Sequence, residues 1–134
     1  ISISSIEVDH YPVDPAYGYK ITLSDSKTIV ISGDTRYSDN LIHAAKEADI
    51  LIHEVFIELA FNVKRMSEQT VKNIEDYHTS PEDVGKIAKE AGVKKLVLTH
   101  FVPPVFDEKD LRKRISQHFP GEIIIGSDLL SLEL

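Results

Sequence analysis

The chain has 134 residues, 42% hydrophobic and 28% charged, which suits one packed domain and is too short for two comfortable ones. A formal net charge of −7 disfavours a broad electrostatic grip on nucleic acid, which needs a basic face. With no cysteine, disulfides and thiolate metal sites are excluded, so a metal must be held by imidazole and carboxylate, a donor set that suits zinc, manganese or iron.

Ile1, Ile3, Ile6 and Val8 alternate well enough for a half-buried strand, with a slip near Ser4 and Ser5 and His10 at its end. The run from Tyr11 to Gly18 holds two prolines and a glycine and reads as an ordered loop leading into a strand at Tyr19–Leu23. Ser24–Lys27 reads as a hairpin turn, after which Thr28–Ser32 returns antiparallel. That second strand is β-branched and apolar, and it stops at Ser32-Gly33-Asp34-Thr35, which places one carboxylate at the rim of a sheet.

Ser38 can cap a helix whose apolar positions are Leu41, Ile42, Ala44, Ala45 and Ala48. Asp49–His53 reads as a short buried strand ending in Glu54; by alternation His53 and Glu54 face opposite ways, and Glu54 is the one assigned to the site. Val55–Tyr77 has weak periodicity and reads as a surface excursion with a helix around Glu68–Asp76. Ser80-Pro81-Glu82-Asp83 opens a helix with an inward stripe of Val84, Ile87, Ala88 and Ala91 and a stop at Gly92. Its acids and lysines, out to Lys95, form a solvated face. Lys95–Thr99 is a strand ending at His100, and Pro103 and Pro104 shape the loop beyond. Asp107–Phe119 reads as a helix with Leu111, Ile115 and Phe119 inward; Glu122–Ile125 is a strand, and Leu129–Leu134 a last strand. Strands followed by alternating helices and strands imply helices over one face of a sheet, the other face needing cover.

Four motifs, Ser32-Gly-Asp-Thr35, Leu51-Ile-His-Glu54, His78-Thr-Ser-Pro81 and Leu96-Val-Leu-Thr-His100, resemble in order and spacing those of the metallo-β-lactamase superfamily, and within it the ribonuclease Z branch. The resemblance covers nearly the whole chain and implies the second half of a four-layer αββα sandwich, an α+β mixed sheet with helices on one face and a two-metal site at one edge. It implies His10 as a ligand of the first metal, His100 as a ligand of the second and Asp34 as the bridging carboxylate. His78 corresponds to a loop histidine that is not a permanent ligand and is read as the proton donor, and Glu54 to the acid of a His-Glu motif, supporting the site from behind. Two zinc ions are the expected cofactors, with manganese or iron as alternatives.

The chain departs from the family pattern twice. It holds no His-x-His-x-Asp-His motif, and no histidine precedes His10, so if it starts at Ile1 each metal lacks two ligands. No long insertion separates Gly18 from Asp34, where bacterial enzymes of this branch carry an arm that grips tRNA. The expected partners are therefore a small-molecule or nucleotide ester, with tRNA possible but not favoured, and either a second copy of the chain or the missing N-terminal half. Two bridged cations activate a water as hydroxide for in-line attack on a phosphodiester. Sulfate-ester or lactone hydrolysis on the same fold is one alternative, and a non-catalytic fragment or interaction module lacking the other half of the site is another. His43 and His118 are assigned to surface or helix packing, and Asp128 to a turn. No apolar run approaches the roughly 18 residues of a membrane span and no signal-peptide pattern opens the chain, so the expectation is a soluble protein, the cytoplasm being favoured. Ile rather than Met at position 1 points to a processed or partial product.

Overall fold

The computed structural model describes residues 1–60 and 66–134. Six strands form one sheet in the order of the chain: β1 (Ser2–His10), β2 (Val13–Thr22), β3 (Thr28–Ile31), β4 (Ile50–Phe56), β5 (Lys95–Val102) and β6 (Glu122–Ile125). The first three are antiparallel, and β3 to β6 run parallel. Parallel neighbours need crossovers, and these contain α1 (Asp39–Ala44), α2 (Glu68–Glu75) with α3 (Pro81–Ala91), and α4 (Glu108–Ser116).

The caps fall where the residue types place them. The hydroxyls of Ser38 and Ser80 accept from the amides of Leu41 and Asp83, and Gly92 ends α3 at φ 66. Val84, Ile87, Ala88 and Ala91 of α3 and Leu111, Ile115 and Phe119 in and after α4 are buried against Val30, Leu51, Val55, Leu96 and Leu98 of the sheet. Each fully buried Leu or Ile contributes about 1.5–3 kcal/mol, so this single helix-facing layer is the main source of stability. Alternation puts the other residues of the strands on the opposite face, where Ile3 is 66% and Tyr19 46% exposed.

Several boundaries differ from the reading of the sequence. Most of the expected loop from Tyr11 to Gly18 is strand β2, because it pairs with β1 as a hairpin. Pro15, which lacks an N–H, falls where the register shifts between Val8 and His10, the position in a ladder that tolerates it. The shift is there and not near Ser4 and Ser5, which pair regularly with Lys20 and Tyr19. β4 extends beyond Glu54 to Phe56, since Val55 and Phe56 find partners on β5. The helix α2 is present, although none of its residues is buried. The remainder of the expected excursion includes a 3₁₀ turn, Glu58–Ala60, and residues 61–65 lie outside the described residues. Leu129–Leu134 is not a strand: the amide of Gly126 makes the last bond to β5, at the carbonyl of Leu98. The tail is tied instead by Lys27 and Lys95, whose ammonium groups donate to the carbonyls of Leu134 and Glu133.

Two glycines seat the loop after β3. Gly33 has φ 63, and a Cβ there would stand 2.5 Å from the carbonyl oxygen of Tyr17; a Cβ on Gly18 would stand 2.6 Å from the carbonyl of Ile31. The backbone carrying Asp34 therefore lies directly on β2.

Candidate functional site

His10 ends β1, Asp34 follows β3, Glu54 lies near the end of β4, His78 precedes the cap of α3, and His100 lies in β5. The topology thus brings five sequence-distant side chains to one edge of the sheet, where the strands of an α/β arrangement commonly present their chemistry. His100 is not the end of its strand. It is the extra residue of a bulge, since Glu54 pairs with Thr99 and Val55 with Phe101, and it takes φ 44. Bulges re-aim a side chain, and here the imidazole meets Asp34, with Nε2 3.5 Å from Oδ2.

The histidine rings form a chain of contacts: His10 to His78 at 5.1 Å between centroids, and His78 to His100 at 5.9 Å. Nδ1 of His10 lies 2.8 Å from the carbonyl oxygen of Tyr77. A carbonyl only accepts, so Nδ1 carries the proton and Nε2 is left as a lone-pair donor, the arrangement that prepares a histidine for a metal. His78 stacks on Phe56 at 6.3 Å with an interplanar angle of 6°, and its Nδ1 is 3.1 Å from Oε1 of Glu54.

Glu54 is the buried anchor, at 1% exposure. Its Oε1 accepts from Nδ1 of His78, from the amide of Thr79 at 3.0 Å and from the amide of Thr35 at 3.4 Å, while Oε2 is buried with no partner among the described residues. His53 is also fully buried, on the opposite side of β4, where Nδ1 donates to the carbonyl of Glu54. Burial holds its pKa below the usual histidine range.

His10, Asp34 and His100 have the right donor chemistry for zinc, manganese or iron: a tautomer-fixed imidazole on one side, an imidazole–carboxylate pair on the other. They form a partial set. Among the described residues no group of three or more histidines and acids is arranged to hold a metal ion. His43 is exposed on α1, and Cβ of His118 lies where it would be 3.1 Å from a Cβ on Gly85, which makes it a helix-packing residue. Asp128 is exposed. Beside His10 is a cleft of about 410 Å³ whose lining includes Glu7, Asp9, Asp14 and Asp39, and no lysine or arginine among the described residues.

Thr35 and Thr79 stand in the sequence motifs with no role attached, and the carbonyl of Tyr77 is not marked by the sequence at all. Each threonine adjoins a residue that was singled out, and adjacency within a motif was the available signal. No helix among the described residues is long and apolar enough to cross a membrane.

The model of a beta-lactamase superfamily domain matches residues 2–101. A putative ribonuclease Z of Mycobacterium tuberculosis (strain CDC 1551 / Oshkosh) is 37% identical over 136 residues, covering 100% of this chain and 59% of the relative. A ribonuclease Z of Mycobacterium sp. (strain KMS) is 34% identical over 140 residues and is covered to 47%. The chain therefore spans about half the length of the relatives it matches. The crystal structure of the metallo-beta-lactamase fold protein YhfI from Bacillus subtilis superposes with a TM-score of 0.73 at 31% identity, over 92% of this chain and 46% of that one. Human tRNase Z, short form, superposes at 0.63 and 22% identity over 96% of this chain and 41% of that one, a likeness of fold. With a helix-covered half sandwich, a histidine–carboxylate edge and these matches in agreement, and with the two mycobacterial relatives both named ribonuclease Z, the chain belongs to the metallo-β-lactamase superfamily.

Proposed function

We propose that the chain is a single domain-half, residues 1–134, forming the C-terminal part of a ribonuclease Z-like hydrolase that cleaves phosphodiesters with a dinuclear metal site. The observation that carries this reading is the convergence of His10, Asp34, His78 and His100 on one sheet edge above the buried Glu54. His10 would offer Nε2 to one cation, His100 an imidazole nitrogen to the other, and the carboxylate of Asp34 would reach both. When bound, two zinc ions, or manganese or iron, would lower the pKa of a shared water towards neutrality and stabilise charge on the attacked phosphorus. The remaining ligands would come from the first half of the domain, which also covers the open face of the sheet.

His78 acts as the acid. It does so as the imidazolium: Nδ1–H is held by the Glu54 carboxylate, and the proton on Nε2 is the one left to pass to the departing oxygen. Glu54 thereby stabilises the cation and holds the ring plane, assisted by the stack on Phe56.

A small or nucleotide phosphodiester is a better match than tRNA. β2 and β3 are joined by the short turn between Leu23 and Lys27 with no arm, and the acid-lined cleft beside His10 repels a polyanion. The relatives' name indicates RNA esters for them, so a nucleotide diester keeps the chemistry and drops the polymer.

The test is hydrolysis of bis(p-nitrophenyl) phosphate by the full-length domain, run beside an aryl sulfate and a lactone. Phosphodiester turnover that disappears on chelation and returns with zinc is expected. Asp34→Asn keeps the shape but removes the bridging charge, so two-metal binding and hydrolysis should be lost together. Full metal occupancy in that variant would rule out the bridge, and turnover confined to the sulfate or the lactone would replace the substrate class.

A further inference from the structure

The residue after His78 has entered so far only as a donor to Glu54, yet its amide, carbonyl and hydroxyl are all bonded within this edge. Thr79 is 1% exposed. Its amide donates to Oε1 of Glu54 at 3.0 Å and its carbonyl accepts from the amide of Phe56 at 2.9 Å, so its backbone is fixed to β4 from both sides. Its hydroxyl donates to the carbonyl of Thr35 at 2.6 Å. Thr35 is fully buried and immediately follows Asp34; its own hydroxyl, in turn, donates to the carbonyls of Arg36 at 2.8 Å and Asp9 at 3.2 Å, and Asp9 precedes His10. One hydroxyl therefore links the loop that carries His78 to the loop that carries Asp34, and through Thr35 to the strand end that carries His10.

We infer that Thr79 is a positioning residue: its hydroxyl sets the spacing between His78 and Asp34. The inference rests on the functional reading above, in which one of these groups gives a proton and the other spans the metals. The link at 3.4 Å from the amide of Thr35 to Glu54 is long for a hydrogen bond and is a weak substitute. Without the hydroxyl, the Thr35 carbonyl is left buried and unsatisfied, and the loop relaxes to find a donor. Such a displacement matters because misplacing a catalytic group by about 1 Å costs on the order of 10²-fold in rate.

The test compares Thr79→Val, which keeps the shape and loses the hydroxyl, with Thr79→Ser, which keeps the hydroxyl. In this chain, amide exchange at Thr35 should quicken by about tenfold or more in the valine variant while amides of β5 are unchanged, because only the local opening is altered. The ring signals of His78 should broaden in the same variant, and serine should restore both. In the full-length domain, kcat on an alkyl phosphodiester should fall by about tenfold or more with KM within about twofold, and again recover with serine. Exchange at Thr35 unchanged in Thr79→Val, or Thr79→Ser behaving like valine, overturns the inference. The exchange and ring readouts do not need catalysis: if they hold while the full-length domain cleaves no phosphodiester, the functional reading falls and the positioning role stands. Should the valine variant not fold, the wild-type hydroxyl proton decides. It should be observable and slow to exchange, and a freely exchanging proton would overturn the assignment.

Discussion

Glu54→Ala removes one acceptor that serves three donors. The amide of Thr79 at 3.0 Å and Nδ1 of His78 at 3.1 Å are full hydrogen bonds, and the amide of Thr35 at 3.4 Å is marginal. Two buried donors are orphaned, each costing about 1–3 kcal/mol, so the variant should lose about 2–6 kcal/mol, a large share of the roughly 5–15 kcal/mol that holds a domain of this size. Glu54→Gln is the informative control. Its amide carbonyl can replace Oε1 for all three donors, while its NH₂ enters the place of Oε2, which is buried without a partner among the described residues. Because that place is already unpartnered, the exchange adds no orphan; what it removes is the charge that strengthens the bonds at the other oxygen, about 1–2 kcal/mol. Wild type, glutamine and alanine should therefore unfold in urea in that order of decreasing stability, with glutamine and alanine separated by about 1–4 kcal/mol. Midpoints followed by circular dichroism measure this directly. An alanine variant as stable as the glutamine one would refute the shared-acceptor account, because the donors would then have found water or other partners at no cost.

The proton-donor role of His78 predicts that His78→Ala in the full-length domain slows cleavage of an alkyl or ribose phosphodiester by about 10²–10⁴-fold and a p-nitrophenyl ester far less, with metal content unchanged. Equal losses would count against a general acid, and lost metal would make His78 a ligand. Arg114, 13% exposed, grips both oxygens of Glu82 at 2.6 and 2.7 Å and one of Glu58 at 2.7 Å. Arg114→Met should cost about 1–3 kcal/mol at pH 7, below the cost of breaking a dry ion pair, because both carboxylates can rehydrate. The hydrogen bond from Arg114 holds the Glu82 carboxyl below its ordinary value of 4.5, so this stability is fully present above that pH and lost as pH falls through the lower folded value. The gap between wild type and variant in urea titrations should hold near neutrality and shrink below pH 4.5; a gap that widens on acidification would contradict the assignment. Gly92→Ala and Gly33→Ala both place a side chain at positive φ, but a Cβ at Gly92 meets nothing within 4 Å and one at Gly33 meets the carbonyl of Tyr17 at 2.5 Å. The first should cost about 1–2 kcal/mol and the second distinctly more, and equal thermal shifts would show that the Asp34 loop yields freely.

Local chemistry alone determined a good deal of this protein. The β-branched run into Ser32-Gly33-Asp34, the Ser80-Pro81 start and Gly92 stop of α3, and the inward stripe of α4 are written in neighbouring residues, because caps, turns and amphipathic spacing act over a few positions. Beyond local chemistry, the family resemblance carried by the linked motifs pointed to His10, Asp34, His78 and His100 as residues of one site. What only the tertiary structure decided depends on groups far apart in the chain. β2 is a strand because β1 lies beside it, with Pro15 at the register shift, and β4 runs on to Phe56 because β5 offers partners. His100 reaches Asp34 by a bulge that exists only in the pairing of those two strands. Glu54 collects donors from the loops after β3 and before α3, and the hydroxyl of Thr79 spans the same loops. A buried hydrogen bond between distant loops leaves no periodic trace in sequence, since its partners are selected by the fold that buries them.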